Sequence, residues 1–235
     1  MRISKNLLER LLEYKNALAR LQAQGFSKVY SYYLAESVGV SSVQIRKDFS
    51  SCRLKGNKKG GYFISLLQKS INELLEKHEP EDIILVGAGN LGSALTKYTG
   101  FEKEGFRIIA AFDIDPAKCS RKKRFPVYPL GEMDAFIRSN SVTMGIIAVP
   151  DNEAQQVLDT MAAAGIKGVL NFAPCWLRHV REAVCVHNVN LAQELEKLNY
   201  CVRKGVGEGK RQPRPATAAA RTKNEQSLNK QNNKQ

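Results

Sequence analysis

The six residues Gly87-Ala88-Gly89-Asn90-Leu91-Gly92 have the types and the spacing to hold a dinucleotide. A pyrophosphate has to be met at close range by backbone N–H groups, and glycine is the residue that lets the backbone come that near. Such a loop needs a strand before it and a helix after it. The apolar run Asp82-Ile83-Ile84-Leu85-Val86 supplies the strand, and residues 93–98 read as the helix. In that setting the first glycine allows the tight turn, the second allows the close approach, and the third lets helix pack on strand. The helix N-terminus adds unpaired N–H groups and a partial positive charge. A second apolar run, residues 108–112, ends in Asp113, which lies 21 residues after Gly92. A carboxylate there can accept hydrogen bonds from both ribose hydroxyls and repels a 2′-phosphate. The combination predicts a nucleotide-binding Rossmann unit. The bland alternative is a glycine turn in an α/β fold that binds nothing.

The elements around this loop continue the pattern. An apolar strand over 142–149 is closed by Pro150, a helix over 152–164 stops at Gly165, and a strand over 168–172 runs into Ala173-Pro174. A last strand is expected over 183–187. Leu191, Leu195, Leu198 and Val202 then fall on one face of a closing helix. The fold class is therefore α/β, with a doubly wound parallel sheet over residues 80–188 and a terminal helix over 189–204. Beyond Lys204 aromatic residues vanish and Gly, Pro, Ala, Asn, Gln and Lys dominate, so 205–235 reads as a disordered basic tail.

Residues 1–79 carry a different signal. A helix over 4–24 has a leucine stripe (Leu7, Leu8, Leu11, Leu12, Leu18, Leu21) and a stop at Gly25. A short helix over 31–37, a turn at Val38-Gly39-Val40, and a helix over 43–52 capped by Ser41 or Ser42 make a helix-turn-helix pattern. On the third helix Val43, Ile45 and Phe49 are assigned to the core. Gln44, Arg46 and Lys47 are left to meet base edges, where Gln suits adenine and Arg or Lys suits guanine. Ser41 and Ser42 can hold a phosphate. The basic, glycine-rich stretch 53–62, with Lys55, Lys58 and Lys59, suits a β-hairpin wing on the DNA backbone or minor groove. A helix over 65–78 would connect this winged helix-turn-helix domain to the Rossmann unit, with Pro80 marking the boundary. The bland alternative is a solvated basic helix in a structural three-helix unit.

Charge supports the split. The formal net charge is +13, with +7 in residues 1–79, +1 in 80–204 and +5 in 205–235. A neutral core with basic flanks points to a polyanionic partner, and nucleic acid fits better than a membrane surface. No apolar stretch is long enough to span a bilayer, and the first residues hold no signal-peptide core. Cys52, Cys119, Cys175, Cys185 and Cys201 are odd in number and scattered, as expected of free thiols in a reducing cytoplasm with no metal site. A dehydrogenase needs a proton donor at the hydride site and a substrate pocket. His78, His179 and His187 sit in no catalytic motif, and assigning 1–79 to DNA leaves no substrate domain, so no catalytic residue is expected.

These blocks together resemble the Rex family of bacterial redox-sensing repressors. The resemblance covers about residues 4–204 and rests on Gln44-Ile45-Arg46-Lys47-Asp48, Gly61-Tyr62, Gly87 to Gly92, Phe112-Asp113-Ile114-Asp115-Pro116, the run 165–174, and the closing stretch 191–200. It implies a homodimer that sits on an inverted-repeat operator, senses NADH against NAD+, and leaves double-stranded DNA when NADH binds. It also implies a terminal helix exchanged between subunits. By the same resemblance Gly87, Ala88, Gly89, Asn90, Leu91 and Gly92 hold the pyrophosphate, Asp113 and Ile114 the adenosine ribose, and Ala148, Val149, Pro150, Asn171, Phe172 and Ala173 the nicotinamide side. Tyr98 matches a tyrosine that reports the redox state.

Three departures from the family pattern stand out. The family pairs that tyrosine with an aspartate before the terminal helix, and the aspartate with an arginine on the first helix. The matching residues are Asn190 and Asn16, so both charges are gone together and weaker gating is expected. Ser51-Cys52-Arg53-Leu54 replaces aromatic and glycine residues in the wing. Arg121-Lys122-Lys123-Arg124 is unusually basic; it is either a solvated loop or a phosphate lure that relaxes the choice of NADH. A regulator whose Rossmann unit takes another nucleotide, such as coenzyme A, or only dimerises, remains the main alternative. An NAD-dependent oxidoreductase ranks below it. A thiol sensor at Cys175 is a possible added role.

Overall fold

A computed structural model describes residues 3–56, 60–75, 80–122, 125–178 and 184–205. The chain divides into two compact units, with divisions after residue 78 and after residue 198.

The N-terminal unit is built on α1 (Lys5–Ala23), β1 (Lys28–Val29), α2 (Ser31–Val38), α3 (Ser42–Ser51), β2 (Tyr62–Phe63) and α4 (Ile64–Leu74). Ser4 caps α1 by accepting from the Leu7 N–H. Leu11, Tyr14, Ala17, Leu18 and Leu21 form its buried stripe, while Leu8 and Leu12, each 38% exposed, lie on its flank. Between α2 and α3 the chain turns through Gly39 at φ +71°, a left-handed conformation that glycine adopts without steric cost. Ser41 then caps α3, accepting from the Gln44 N–H at 3.1 Å. Such a cap is worth about 1 kcal/mol.

One expectation needs correction here. Val43 does not face the core: it is 50% exposed. The buried side of α3 is set by Ile45, Asp48 and Phe49, continued by Cys52, and at about 100° per residue Val43 lies about 200° from Ile45, on the opposite side. The segment 53–62 contributes the strand β2, but its partner among the described residues is β1, antiparallel, with Lys28 opposite Phe63 and Val29 opposite Tyr62. The tip of the expected hairpin, residues 57–59, lies outside the described residues. Lys58, Lys59 and His78 lie outside the described residues.

The second unit alternates strand and helix: β3 (Glu81–Val86), α5 (Asn90–Leu95), α6 (Gly100–Lys103), β4 (Phe106–Asp113), β5 (Val127–Pro129), α7 (Met133–Asn140), β6 (Met144–Ile147), α8 (Asp151–Ala164), β7 (Gly168–Asn171) and β8 (Cys185–Asn188); the terminal helix α9 (Leu191–Lys204) runs across the second division. Its six strands run in the order β5-β4-β3-β6-β7-β8, every pair parallel. That is the doubly wound order, with the chain reversing direction of travel between β3 and β6. Alternation along β3 sends Ile84 and Val86 to a core shared with α7 and α8, and Ile83 and Leu85 to a second core on the other face. The expected strands over 108–112, 142–149, 168–172 and 183–187 correspond to β4, β6, β7 and β8. Strand β5 and helix α7 had no counterpart in the sequence reading. Helix α9 buries none of its residues, and Leu191, Leu195, Leu198 and Val202 are between 58% and 72% exposed. Among the described residues no helix is long and apolar enough to cross a membrane.

Candidate nucleotide and DNA sites

Where β3 and β6 part, the backbone at their C-terminal ends opens a crevice of about 270 Å³. Val86, Gly87 and Gly89 form one wall, Phe112, Asp113, Ile114 and Lys118 another, and Ala148, Val149 and Pro150 a third. The three motif glycines are there for different reasons. Gly87 sits at φ +100°, and a Cβ on it would overlap the carbonyl of Ala148. A Cβ on Gly92 would overlap the carbonyl oxygen of Gly87, so the helix can meet the loop only as glycine. Gly89 is neither strained nor crowded: a Cβ there meets nothing within 4 Å. The chain's own packing does not require glycine at 89, and what a side chain would fill is the crevice. Asn90 and Leu91 open α5, which ends at Leu95, so it begins earlier and ends sooner than the 93–98 helix expected. With six residues, it adds little helix-dipole attraction, and the loop N–H groups carry the site.

Asp113 ends β4 and is 6% exposed. Its Oδ2 accepts from the Ala88 N–H at 2.7 Å and its Oδ1 from the Asp115 N–H at 2.9 Å. Lys118 Nζ lies 3.3 Å from both oxygens. Burial alone would raise this carboxyl, but the two backbone N–H groups and Lys118 outweigh it and hold Asp113 below the ordinary carboxylate range. Asp113 thus ties the glycine loop to β4, and with Lys118 at both oxygens its roughly four acceptor positions are engaged, so a ribose diol would take the positions that Lys118 holds. Asp113→Ala is expected to weaken NADH binding by about 1–3 kcal/mol, read by calorimetric titration; unchanged affinity would remove its ribose role.

Asn171, Phe172 and Ala173 do not line this crevice. The buried Asn171 side chain is committed locally: its Nδ2 donates to the Cys175 carbonyl at 3.0 Å and to Asn188 Oδ1 at 2.9 Å, and its Oδ1 accepts from the Ala173 N–H at 2.9 Å. It pins the turn after β7. Phe172 packs in the core on the β3–β4 side, and Ala173 in the core under α8.

On the N-terminal unit, Lys47 and Val43 stand exposed on α3, with Ser42, Gln44 and Arg46 partly buried beside them. Arg46 Nη1 donates to Ser31 Oγ at 3.1 Å, which braces α3 on α2. Lys55 is exposed in the loop after α3. Asp48, which the sequence pattern left without a role, is 4% exposed on the inner side of the same helix. Arg10 of α1 grips it twice, Nε to Oδ2 at 2.7 Å and Nη2 to Oδ1 at 2.8 Å. Tyr14 donates its hydroxyl to Oδ2 at 2.7 Å, and Gln44 Nε2 donates to Oδ1 at 2.8 Å. The signal was available. Asp48 falls on the apolar stripe of Ile45, Phe49 and Cys52, where a carboxylate must find cationic and polar partners.

Burial works to raise the Asp48 carboxyl, yet Arg10, Tyr14 and Gln44 together hold it below its ordinary range. Its folded value is below its unfolded value, near 3.9. Asp48 therefore contributes stability in full well above that pH and loses it as pH falls through the folded value. In thermal melts of the chain, Asp48→Asn should flatten the loss of stability below about pH 4; an unchanged acid limb would contradict the depressed carboxyl.

Two family models match the chain, one described as a putative DNA-binding protein N-terminus over residues 2–50, the other as a CoA binding domain over residues 78–175. The redox-sensing transcriptional repressor Rex of Clostridioides difficile (strain 630) is 37% identical over 204 residues, 86% of this chain and 97% of that protein. Rex of Pelotomaculum thermopropionicum is 39% identical over 201 residues, 85% of this chain and 94% of that protein. The chain belongs to the Rex family. Among solved structures, RSP in complex with β-NAD+ and operator DNA superposes with a TM-score of 0.81 at 32% identity, covering 87% of this chain and 94% of that one. RSP in complex with β-NADH gives 0.77, with 87% and 96% covered.

The departures of this Rex-family chain can now be placed. Tyr98 is 60% exposed and packs edge-on against Phe101. It does not line the crevice of Gly87 and Asp113; it borders a second cavity of about 630 Å³ on the α5 side, with Thr96, Lys97 and Phe125. Asn190 caps α9, its Oδ1 accepting from the Gln193 N–H at 3.0 Å. Asn16 is exposed on α1. Cys175 Sγ donates to the Asp151 carbonyl oxygen at 3.7 Å, and burial followed by the Asp151 charge pushes its thiol up, away from the thiolate a redox sensor uses. Of the basic run, Arg121 is paired to Glu132 at 2.7 Å and lies over the Tyr128 ring, while Lys123 and Arg124 lie outside the described residues.

Proposed function

We propose that the chain is a DNA-binding transcriptional repressor that senses the NADH/NAD+ ratio, binding an inverted-repeat operator as a homodimer and leaving it when NADH binds. The observation that carries the nucleotide half is Gly89: a glycine that the fold does not need, at the wall of a crevice ending in a buried carboxylate. In this reading the loop Gly87 to Gly92 meets the pyrophosphate and Asp113 holds the ribose diol. Ile114 and Leu130 enclose the adenine side, and Ala148, Val149 and Pro150 the nicotinamide side. Bound nicotinamide supplies a ring that is neutral when reduced and cationic when oxidised. Apolar walls at Ala148 and Val149 favour the neutral ring, because a buried cation without a partner is costly. The Rex relatives and the RSP complexes with NAD+, NADH and operator DNA support the same assignment. No turnover is part of it. Its place of action is the cytoplasm, where the operator is.

The match to a CoA binding domain favours a second reading, in which the crevice takes coenzyme A. The ribose of coenzyme A carries a phosphate, and Asp113 would repel it. Titrating the purified chain with NADH, NAD+ and coenzyme A separates the two. The proposal expects NADH tightest and coenzyme A unbound; tighter coenzyme A would reverse the choice.

Gating in this reading is weaker than in a charged switch. Aspartate caps a helix as well as asparagine does, so Asn190→Asp keeps the start of α9 while restoring a charge. Combined with Asn16→Arg it should steepen the NADH-dependent release of DNA by about tenfold, since charge-assisted hydrogen bonds are roughly twice as strong as neutral ones. The same release curve in the double variant would show that positions 16 and 190 do not gate.

A further inference from the structure

Gln44 is the one candidate base-reading side chain that is tied to a buried carboxylate. Asp48 has about four acceptor positions, and the structure fills them with the two Arg10 donors, the Tyr14 hydroxyl and Gln44 Nε2. A carboxylate held ionised can only accept. The amide must therefore turn its nitrogen towards Asp48, and its Oε1 away from it. Arg10 and Tyr14 keep the carboxylate itself from rotating, with Tyr14 locked edge-on against Phe49 at 5.6 Å and Phe49 edge-on against Tyr62 at 5.0 Å. Among the described residues no donor meets Gln44 Oε1.

We propose that Asp48 is a positioning residue that fixes the polarity of the Gln44 amide, and so makes the chain select adenine at the base pair Gln44 meets. The inference rests on the DNA-binding reading given above. A free glutamine can flip, offering its donor and acceptor in either order. Held by Asp48, it presents Oε1 as acceptor with the second Nε2 hydrogen beside it. Adenine offers the N6 amino donor and the N7 acceptor in the major groove, and matches both. Cytosine offers only the N4 donor. Guanine presents two acceptors, O6 and N7, one of which would face Oε1, whereas thymine O4 can accept the second Nε2 hydrogen. Adenine, which satisfies both groups, is therefore preferred, cytosine and thymine each satisfy one, and guanine is disfavoured. Arg10, far from α3 in sequence, becomes part of the specificity of the recognition helix.

The test uses the full chain and an operator selected from random duplexes, with every base pair then changed singly. Wild type, Gln44→Ala, Asp48→Asn and the double variant are titrated on this set at one salt concentration, and their thermal melts are recorded. The expected result is that Gln44→Ala loses about tenfold of selectivity at one base pair per half-site. Asp48→Asn should lose it at the same pair, and the double variant should lose no more. A purely structural role would lower affinity by the same factor on every duplex, and that outcome overturns the proposal. If Asp48→Asn does not fold, the wild type still decides: guanine or thymine preferred at the pair that Gln44→Ala flattens overturns the lock. A wild type without preference for any duplex overturns the DNA-binding reading and this inference together, whereas a wild type with preferences untouched by Gln44→Ala overturns this inference alone.

Discussion

Gly89→Ala is expected to melt as the parent chain does and to lose NADH affinity by at least about a hundredfold, the equivalent of one or two hydrogen bonds to a charged group at about 1.5–3 kcal/mol each. The two outcomes separate because of what surrounds the residue. Its φ is −71° and its ψ −163°, an extended backbone that alanine adopts without strain. A Cβ there meets no protein atom within 4 Å. The added methyl occupies only the space where a pyrophosphate would approach the loop. Gly92→Ala is the contrasting control. Its Cβ overlaps the Gly87 carbonyl oxygen, so the loop must shift and the melt must fall with the affinity. Calorimetric titration beside a thermal melt checks both variants. Undiminished NADH binding by Gly89→Ala would mean the nucleotide does not lie along this loop.

The second large effect concerns DNA. Arg46→Ala with Lys47→Ala should abolish selective operator binding, since two base contacts of about 1–3 kcal/mol each amount to about a thousandfold. NADH affinity should stay at the parent value. Lys47 is exposed and contributes nothing to the core, and Arg46 gives up one hydrogen bond to Ser31. Gel-shift titrations on the selected operator and on scrambled DNA, alongside NADH titration, check this. Loss of NADH binding as well would mark an unfolded chain, and retained selectivity would mean that α3 does not read bases.

Much of the architecture could be read from the chain because it is written in local periods. Alternating or continuous apolar residues gave β3, β4, β6 and β7, and the glycine spacing fixed where β3 had to turn into α5. Gly39 and Ser41 marked the turn and the cap of the DNA-reading helix. What escaped depends on partners distant in sequence. Strand β5 is three residues long and follows a basic loop, so it has no period to detect; it is made a strand by pairing with Ala111, Phe112 and Asp113 of β4. Val43 was assigned inward because it is apolar. Its exposure follows from Asp48 taking an inner position that only Arg10 and Tyr14, 38 and 34 residues away, make habitable. Asn171 was placed on the nicotinamide side by the family resemblance. Its amide holds the turn to Cys175 and to β8 through Asn188, partners that no local pattern shows. Polar residues whose partners are remote are where sequence patterns carry least information, and in this chain they include the groups that orient both candidate sites.

The most direct test of the account is the affinity of the full chain for its selected inverted-repeat operator, measured at one fixed salt concentration because phosphate contacts make DNA affinity strongly salt-dependent. The duplex is titrated without nucleotide, with saturating NAD+ and with saturating NADH. The account predicts tight binding in the first two conditions and release in the third, with a shallower transition than a charged switch would give. Equal affinity in all three would contradict it, leaving a DNA-binding protein whose Rossmann unit does not report the NADH/NAD+ ratio.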